Sequence, residues 1–145
     1  MPLATRVERP PRRTANTIVR HADPPLPENR LLAALPPADF DRMTARMTDV
    51  TFGHKGMVYR TGGPLDHVYF PRSGIISATV VMGDGASAEV AAVGFEGMIG
   101  VSAALGAGVS REQVFCQVHP AACRRMPAAE FVAEFARGGP LRDVV

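Results

Sequence analysis

Short runs of β-branched and aromatic residues dominate the middle of the chain, each bounded by residues that favour turns. The runs fall at 49–52, 57–60, 67–70, 75–82, 86–93, 114–118 and 122–126. Val, Ile, Thr, Tyr and Phe suit a pleated, half-buried surface, so these segments are predicted to be strands. The separators at 53–56, 61–64, 71–74 and 83–85 are rich in turn formers. Gly74, Gly83, Gly85 and Gly94 are expected to supply the positive φ angles of the reversals. Asp84-Gly85, between two alternating runs, predicts a hairpin.

The period changes to helical on either side of this block. Leu31, Leu32 and Leu35, then Phe40, Met43 and Met47, flank Pro36-Pro37 and predict a short helix, a break, and a second helix from near Pro37 or Ala38. Asp39 and Asp41 lie in its first turn, where negative charge suits the helix dipole. Downstream, Pro127 fits the first turn of a helix with an apolar stripe of Phe131, Val132 and Phe135, stopped by Gly138-Gly139-Pro140. Leu141 to Val145 can open another helix. Residues 1–28 carry Pro2, Pro10, Pro11, Pro24, Pro25 and Pro27 with no apolar period, and are expected to form a disordered or extended arm. The rest, 29–145, reads as one domain, mainly β with flanking helices: a small antiparallel barrel or roll with no internal repeat.

A length of 145 residues, 46% of them hydrophobic, suits a single globular core. No apolar run approaches the roughly 20 residues of a membrane-spanning helix, and the chain starts with no apolar signal segment, so a cytoplasmic protein without membrane contact is expected. A formal charge of +2 is too small to imply nucleic-acid binding. Arg6, Arg9, Arg12, Arg13 and Arg20 concentrate in the arm, where they read as a solubilising tail. Cys116 and Cys123 form no C-x-x-C pair and are expected to be buried, unpaired strand residues. Met43, Met47, Met57, Met82, Met98 and Met126 read as gap-filling core residues.

Catalysis has no visible residues. There is no G-x-S-x-G, Walker A or H-E-x-x-H motif. His54, His67 and His119 include no His-x-His pair of the kind that metal-binding jelly rolls use, although His67 and Glu89 could assemble in space; no metal ligand is assigned. The lack of Trp removes a stacking platform for single-stranded nucleic acid.

Four stretches carry a resemblance. They are NRLLAALPPADFDRM from Asn29; Gly62 and Pro64 before Asp66-His67-Val68-Tyr69-Phe70; Ser73-Gly74; and Val93-Gly94-Phe95-Glu96-Gly97-Met98-Ile99-Gly100. Over 29–145 the chain resembles the effector domain of Crp/Fnr transcription regulators, a cyclic-nucleotide-binding-type, jelly-roll-like β-roll. The resemblance implies a non-enzymatic sensor of a small anionic ligand or a cyclic nucleotide, with no other cofactor expected. It also implies a ligand-contacting set of Glu89, Gly97, Met98, Ile99, Gly100, Val101, Ser102 and Arg111.

In members of that family a helix after a glycine-glutamate pair and a following arginine hold the cyclic phosphate. In this sequence Val101 stands where the resemblance expects the carboxylate, Arg111 stands at or within one residue of the phosphate-binding arginine, and Glu112 takes the place of a small hydroxyl residue. The family's long dimerisation helix and DNA-reading helix-turn-helix have no counterpart in 29–145. DNA binding is therefore not expected from these residues, and a monomer or weak homodimer is. The alternative reading is a degenerate roll that binds no nucleotide and acts through protein contacts.

Overall fold

The computed structural model describes residues 27–145. Residues 1–26 of the expected arm lie outside the described residues. Glu28, assigned to the arm from the sequence, is half-buried and its carboxylate takes Arg124 Nη2 at 2.9 Å, so here the chain already packs on the domain.

Among the described residues, seven strands form two antiparallel sheets. The first has the order β1 (Thr48–Phe52), β7 (Ala121–Pro127), β3 (His67–Pro71); the second runs β2 (Met57–Tyr59), β6 (Gln113–Val118), β4 (Ile75–Val81), β5 (Ser87–Val93). Each strand lies within a residue or two of its predicted run, because turn formers separate the runs from 49 to 93. One buried cluster draws on both sheets, with Val68, Phe70, Cys123 and Met126 from the first and Ile76, Val114 and Cys116 from the second. Tyr69 links the layers, its ring 5.6 Å from Phe52 and 5.8 Å from Tyr59. This is the antiparallel β-roll with flanking helices that the pattern predicts.

The β4–β5 hairpin closes at the predicted turn, where Gly85 has φ 85° and its amide donates to Met82 O at 2.9 Å. Gly74 also has positive φ, whereas Gly83 and Gly94 do not. Met82 is 48% exposed on this hairpin, unlike the core methionines Met43 and Met126. A bulge interrupts the ladder below the turn: Ala78 pairs with Ala91 but Thr79 pairs with Glu89, leaving Val90 as the extra residue. Strand parity inverts at that point.

The helices lie at the ends. Helix α1 (Arg30–Ala33) and α2 (Pro37–Thr44) bracket the proline break as predicted, and α3 (Ala128–Ala136) and α4 (Pro140–Val144) follow β7. In α3 the buried side is Ala128, Phe131 and Glu134, while Val132, predicted in the stripe, is 37% exposed. Glu134 can be buried because arginines meet it: Arg42 Nε of α2 at 3.1 Å and Arg46 at 3.4 Å. This ties α3 to α2.

Asn29 caps α1 and is itself fully buried. Its Oδ1 accepts from the Leu31 and Leu32 amides at 3.0 and 3.4 Å, and its Nδ2 donates to Pro71 O and Gly97 O, both at 2.8 Å. Replacing it leaves buried backbone groups unpaired, each at a cost of about 1 kcal/mol or more. Asn29→Ala is expected to lower unfolding free energy by about 2–4 kcal/mol in urea titration, and Asn29→Asp, which keeps the cap but sets a carboxylate oxygen against the Pro71 and Gly97 carbonyls, by at least as much.

Both cysteines are buried and free. Burial raises the Cys123 thiol to about 12 and pushes Cys116 up as well. Since an unfolded thiol ionises near 9.0, this contribution to stability is intact below that pH and is lost as pH climbs towards 12. At mildly alkaline pH a disulfide reagent is expected to leave both thiols unreacted in the native protein and to modify both in denaturant.

Candidate functional site

A cavity of about 210 Å³ opens between the second sheet and the segment that follows β5. Its sheet wall presents Ala78 of β4, Ala91 and Val93 of β5, and Val114 of β6; Tyr59 and Leu65 add to the lining. The opposite wall is Met98, Ile99, Gly100, Val101 and Ser102. A second hollow, of about 350 Å³, adjoins it on the outer side of the 3-10 segment and is lined by Leu105, Ala107, Val109 and Arg111. Ser102 and Glu112 line both. They mark the junction.

The wall segment is held on both sides. Ile99 exchanges backbone hydrogen bonds with Tyr69 at 3.0 and 2.8 Å, and Asn29 holds Gly97 O. Gly100, with φ 98°, then turns the chain into a 3-10 helix, Val101–Leu105, which ends at Gly106. A Cβ on Gly100 would stand 2.5 Å from Tyr59 Oη. That oxygen is fixed, since the Tyr59 hydroxyl donates to His67 O and burial pushes its ionisation above the ordinary phenol range.

The polar groups around the cavity are mostly committed elsewhere. Ser110 donates to Glu112 O at 2.7 Å and accepts from the Glu112 amide at 3.3 Å, closing its own loop. The hydroxyl of Ser102 and the carboxylate of Glu112 have no hydrogen-bond or ion-pair partner among the described residues. Four exposed aliphatic side chains surround the opening: Val90, Val101, Leu105 and Val109, at 54, 40, 80 and 54%. The lining is thus oily, with one acid at its edge.

Five of the eight residues expected to contact ligand, Met98 to Ser102, line the inner cavity. Arg111 lines only the outer hollow, where it is exposed; Glu112, its neighbour, faces both. Glu89 is not brought in, because the β5 bulge turns it to the other face, where Oε2 accepts from Ser77 Oγ at 2.5 Å. Gly97 contributes its carbonyl to Asn29 rather than lining the cavity. The turn at Gly94 holds an anion of the chain itself: the Gly94 amide donates to Glu96 Oε1 at 2.9 Å, and backbone amides keep that carboxyl below its usual range.

The sheet-wall residues and Tyr59 were not singled out from the sequence. Inward alternation on β4 and β5 points to them only once the bulge is known. His67 on β3 and Glu89 on β5 lie in different sheets. Among the described residues no cluster of three or more His, Cys, Asp or Glu is placed to hold a metal ion, and no helix is long and apolar enough to cross a membrane.

Solved structures share this architecture. The Catabolite Activator Protein of Thermus thermophilus matches with a TM-score of 0.66 at 15% identity, over 79% of this chain and 53% of that one. The sensor domain of the transcriptional regulator DNR from Pseudomonas aeruginosa matches at 0.66 and 16%, over 77% and 75%. A mutant regulatory subunit of a cAMP-independent protein kinase A from Trypanosoma brucei, bound to cAMP, matches at 0.69 and 16%, over 80% and 41%. No family model and no curated protein matches the chain by sequence. The chain therefore has the β-roll fold of regulatory and cyclic-nucleotide-binding domains, and spans about half the length of the Thermus regulator.

Gly100→Ala must both adopt a left-handed φ and displace the Tyr59 oxygen, so it is expected to cost about 2–3 kcal/mol in urea unfolding. Gly106→Ala has a left-handed φ of 89° but nothing within 4 Å of the new methyl. It should cost only about 1 kcal/mol.

Proposed function

We propose that the chain is an effector-sensing regulatory domain that binds a small molecule in the inner cavity and performs no catalysis. The observation that carries this reading is the position of the cavity wall: the 3-10 helix Val101–Leu105 lines the cavity on one side and packs against α3 on the other. A ligand pressing on Val101 and Ser102 would shift the surface on which α3 rests. Glu134 would pass that shift to α2 through Arg42 and Arg46. Two of the similar structures support sensing by their own descriptions, one a sensor domain and the other bound to cAMP.

A second reading, a degenerate roll acting through protein contacts, is favoured by two observations. Val101 offers no carboxylate for a ribose hydroxyl, and the Gly94 turn is filled by Glu96. The readings separate by linkage. A true ligand at one hundred times its Kd adds about 2.7 kcal/mol to stability, seen as a rise in Tm; a degenerate roll gains nothing. Cyclic AMP, cyclic GMP and cyclic di-GMP are the first to titrate, each with an Arg111→Ala control. A shift that vanishes in the control identifies a nucleotide sensor using Arg111, and no shift with any small molecule leaves the degenerate roll.

A further inference from the structure

We infer that the effector class of this cavity is a largely apolar molecule carrying a cationic or hydrogen-bond-donating group, typified by an arylalkyl amine. This deepens the sensing reading and rests on it. The inner cavity, about 210 Å³, suits a body of about ten heavy atoms. Its walls are aliphatic on the sheet side, at Ala78, Ala91, Val93 and Val114, so hydrophobic burial supplies the attraction.

The polar end is set by what remains unpaired. Tyr59 Oη and Ser110 Oγ are committed to His67 O and Glu112 O. Ser102 and Glu112, at the junction of the two hollows, are the polar side chains left to meet a ligand head group. A carboxylate there accepts a charge-assisted hydrogen bond from an ammonium. It repels an anion. Arg111 does not reverse the sign in this cavity, since it lines only the second hollow, whereas Glu112 lines both. Glu89, the other carboxylate expected at the site, faces away across the bulge.

The test uses three probes of matched body, 2-phenylethylamine, 2-phenylethanol and 3-phenylpropanoate, titrated at millimolar concentration into the whole chain and followed by NMR shifts of residues lining the cavity. The amine is expected to bind at least tenfold more tightly than the carboxylate, with the alcohol between them. Glu112→Gln should reduce amine affinity about tenfold and leave the alcohol unchanged, which a general loss of folding would not do. Ala91→Phe, which fills the cavity from an exposed strand position, should abolish binding of amine and alcohol while urea unfolding reports an intact fold. Equal or tighter binding of the carboxylate, or amine binding that survives Ala91→Phe, overturns the assignment. If cyclic nucleotides bind and the amine does not, the ligand class falls and the sensing reading stands; if nothing binds, both fall.

Discussion

Asn29 is the joint on which the sensing face depends. With no exposed surface, its side chain holds four backbone groups from three places: the first turn of α1, the end of β3, and the turn after β5. No apolar residue could do this, because buried amides and carbonyls require partners with fixed direction. The wall segment from Met98 to Ser102 follows directly. It inherits its position from Asn29 at one end and from the Ile99–Tyr69 bridge in its middle. The cavity is therefore a product of polar geometry, though its lining is oily.

Around that joint the division of labour is simple. The two sheets and their aromatic contacts supply cohesion, while the helices carry the specific polar ties. Glu134 shows the second kind: a carboxylate 4% exposed on the core side of α3 is tolerated because Arg42 and Arg46 reach it from α2. Arginine suits such a site, since its guanidinium stays charged and offers several donors while keeping contact with water. The ends of the chain's described part are thus coupled to each other through charge, and to the cavity through the 3-10 helix.

Much of this was legible in the sequence, and what was hidden has a common cause. Strand positions followed from apolar runs between turn formers, and the proline break between α1 and α2 followed from Pro36-Pro37, because both signals are local. The site was half legible: the glycine-rich segment led to Met98 through Ser102. Glu89 lies on the opposite face from the cavity because a bulge, decided by pairing with β4, breaks the ladder, and no local signal in β5 announces it. Val132 was assigned to the buried face on apolarity alone, yet Glu134 occupies it, a preference that arises only when Arg42 and Arg46 arrive from a distant helix. Similarly, nothing local distinguishes Asn29 from an ordinary cap.

The extra residue in β5 gives the roll a way to change its appetite without substituting any residue of the strand. β5 is the outer strand of its sheet, so only β4 must re-pair if its register moves. Shortening the hairpin tip by one residue could be absorbed by drawing out the bulge, so that Val80 would face Glu89 instead of Ala88. Glu89 would then swing inward and Val90 outward, placing a second carboxylate among the aliphatic side chains. Charge selectivity in such a scaffold is in this sense a matter of counting residues in a distant loop, and closely similar rolls can diverge in chemistry by a single insertion or deletion.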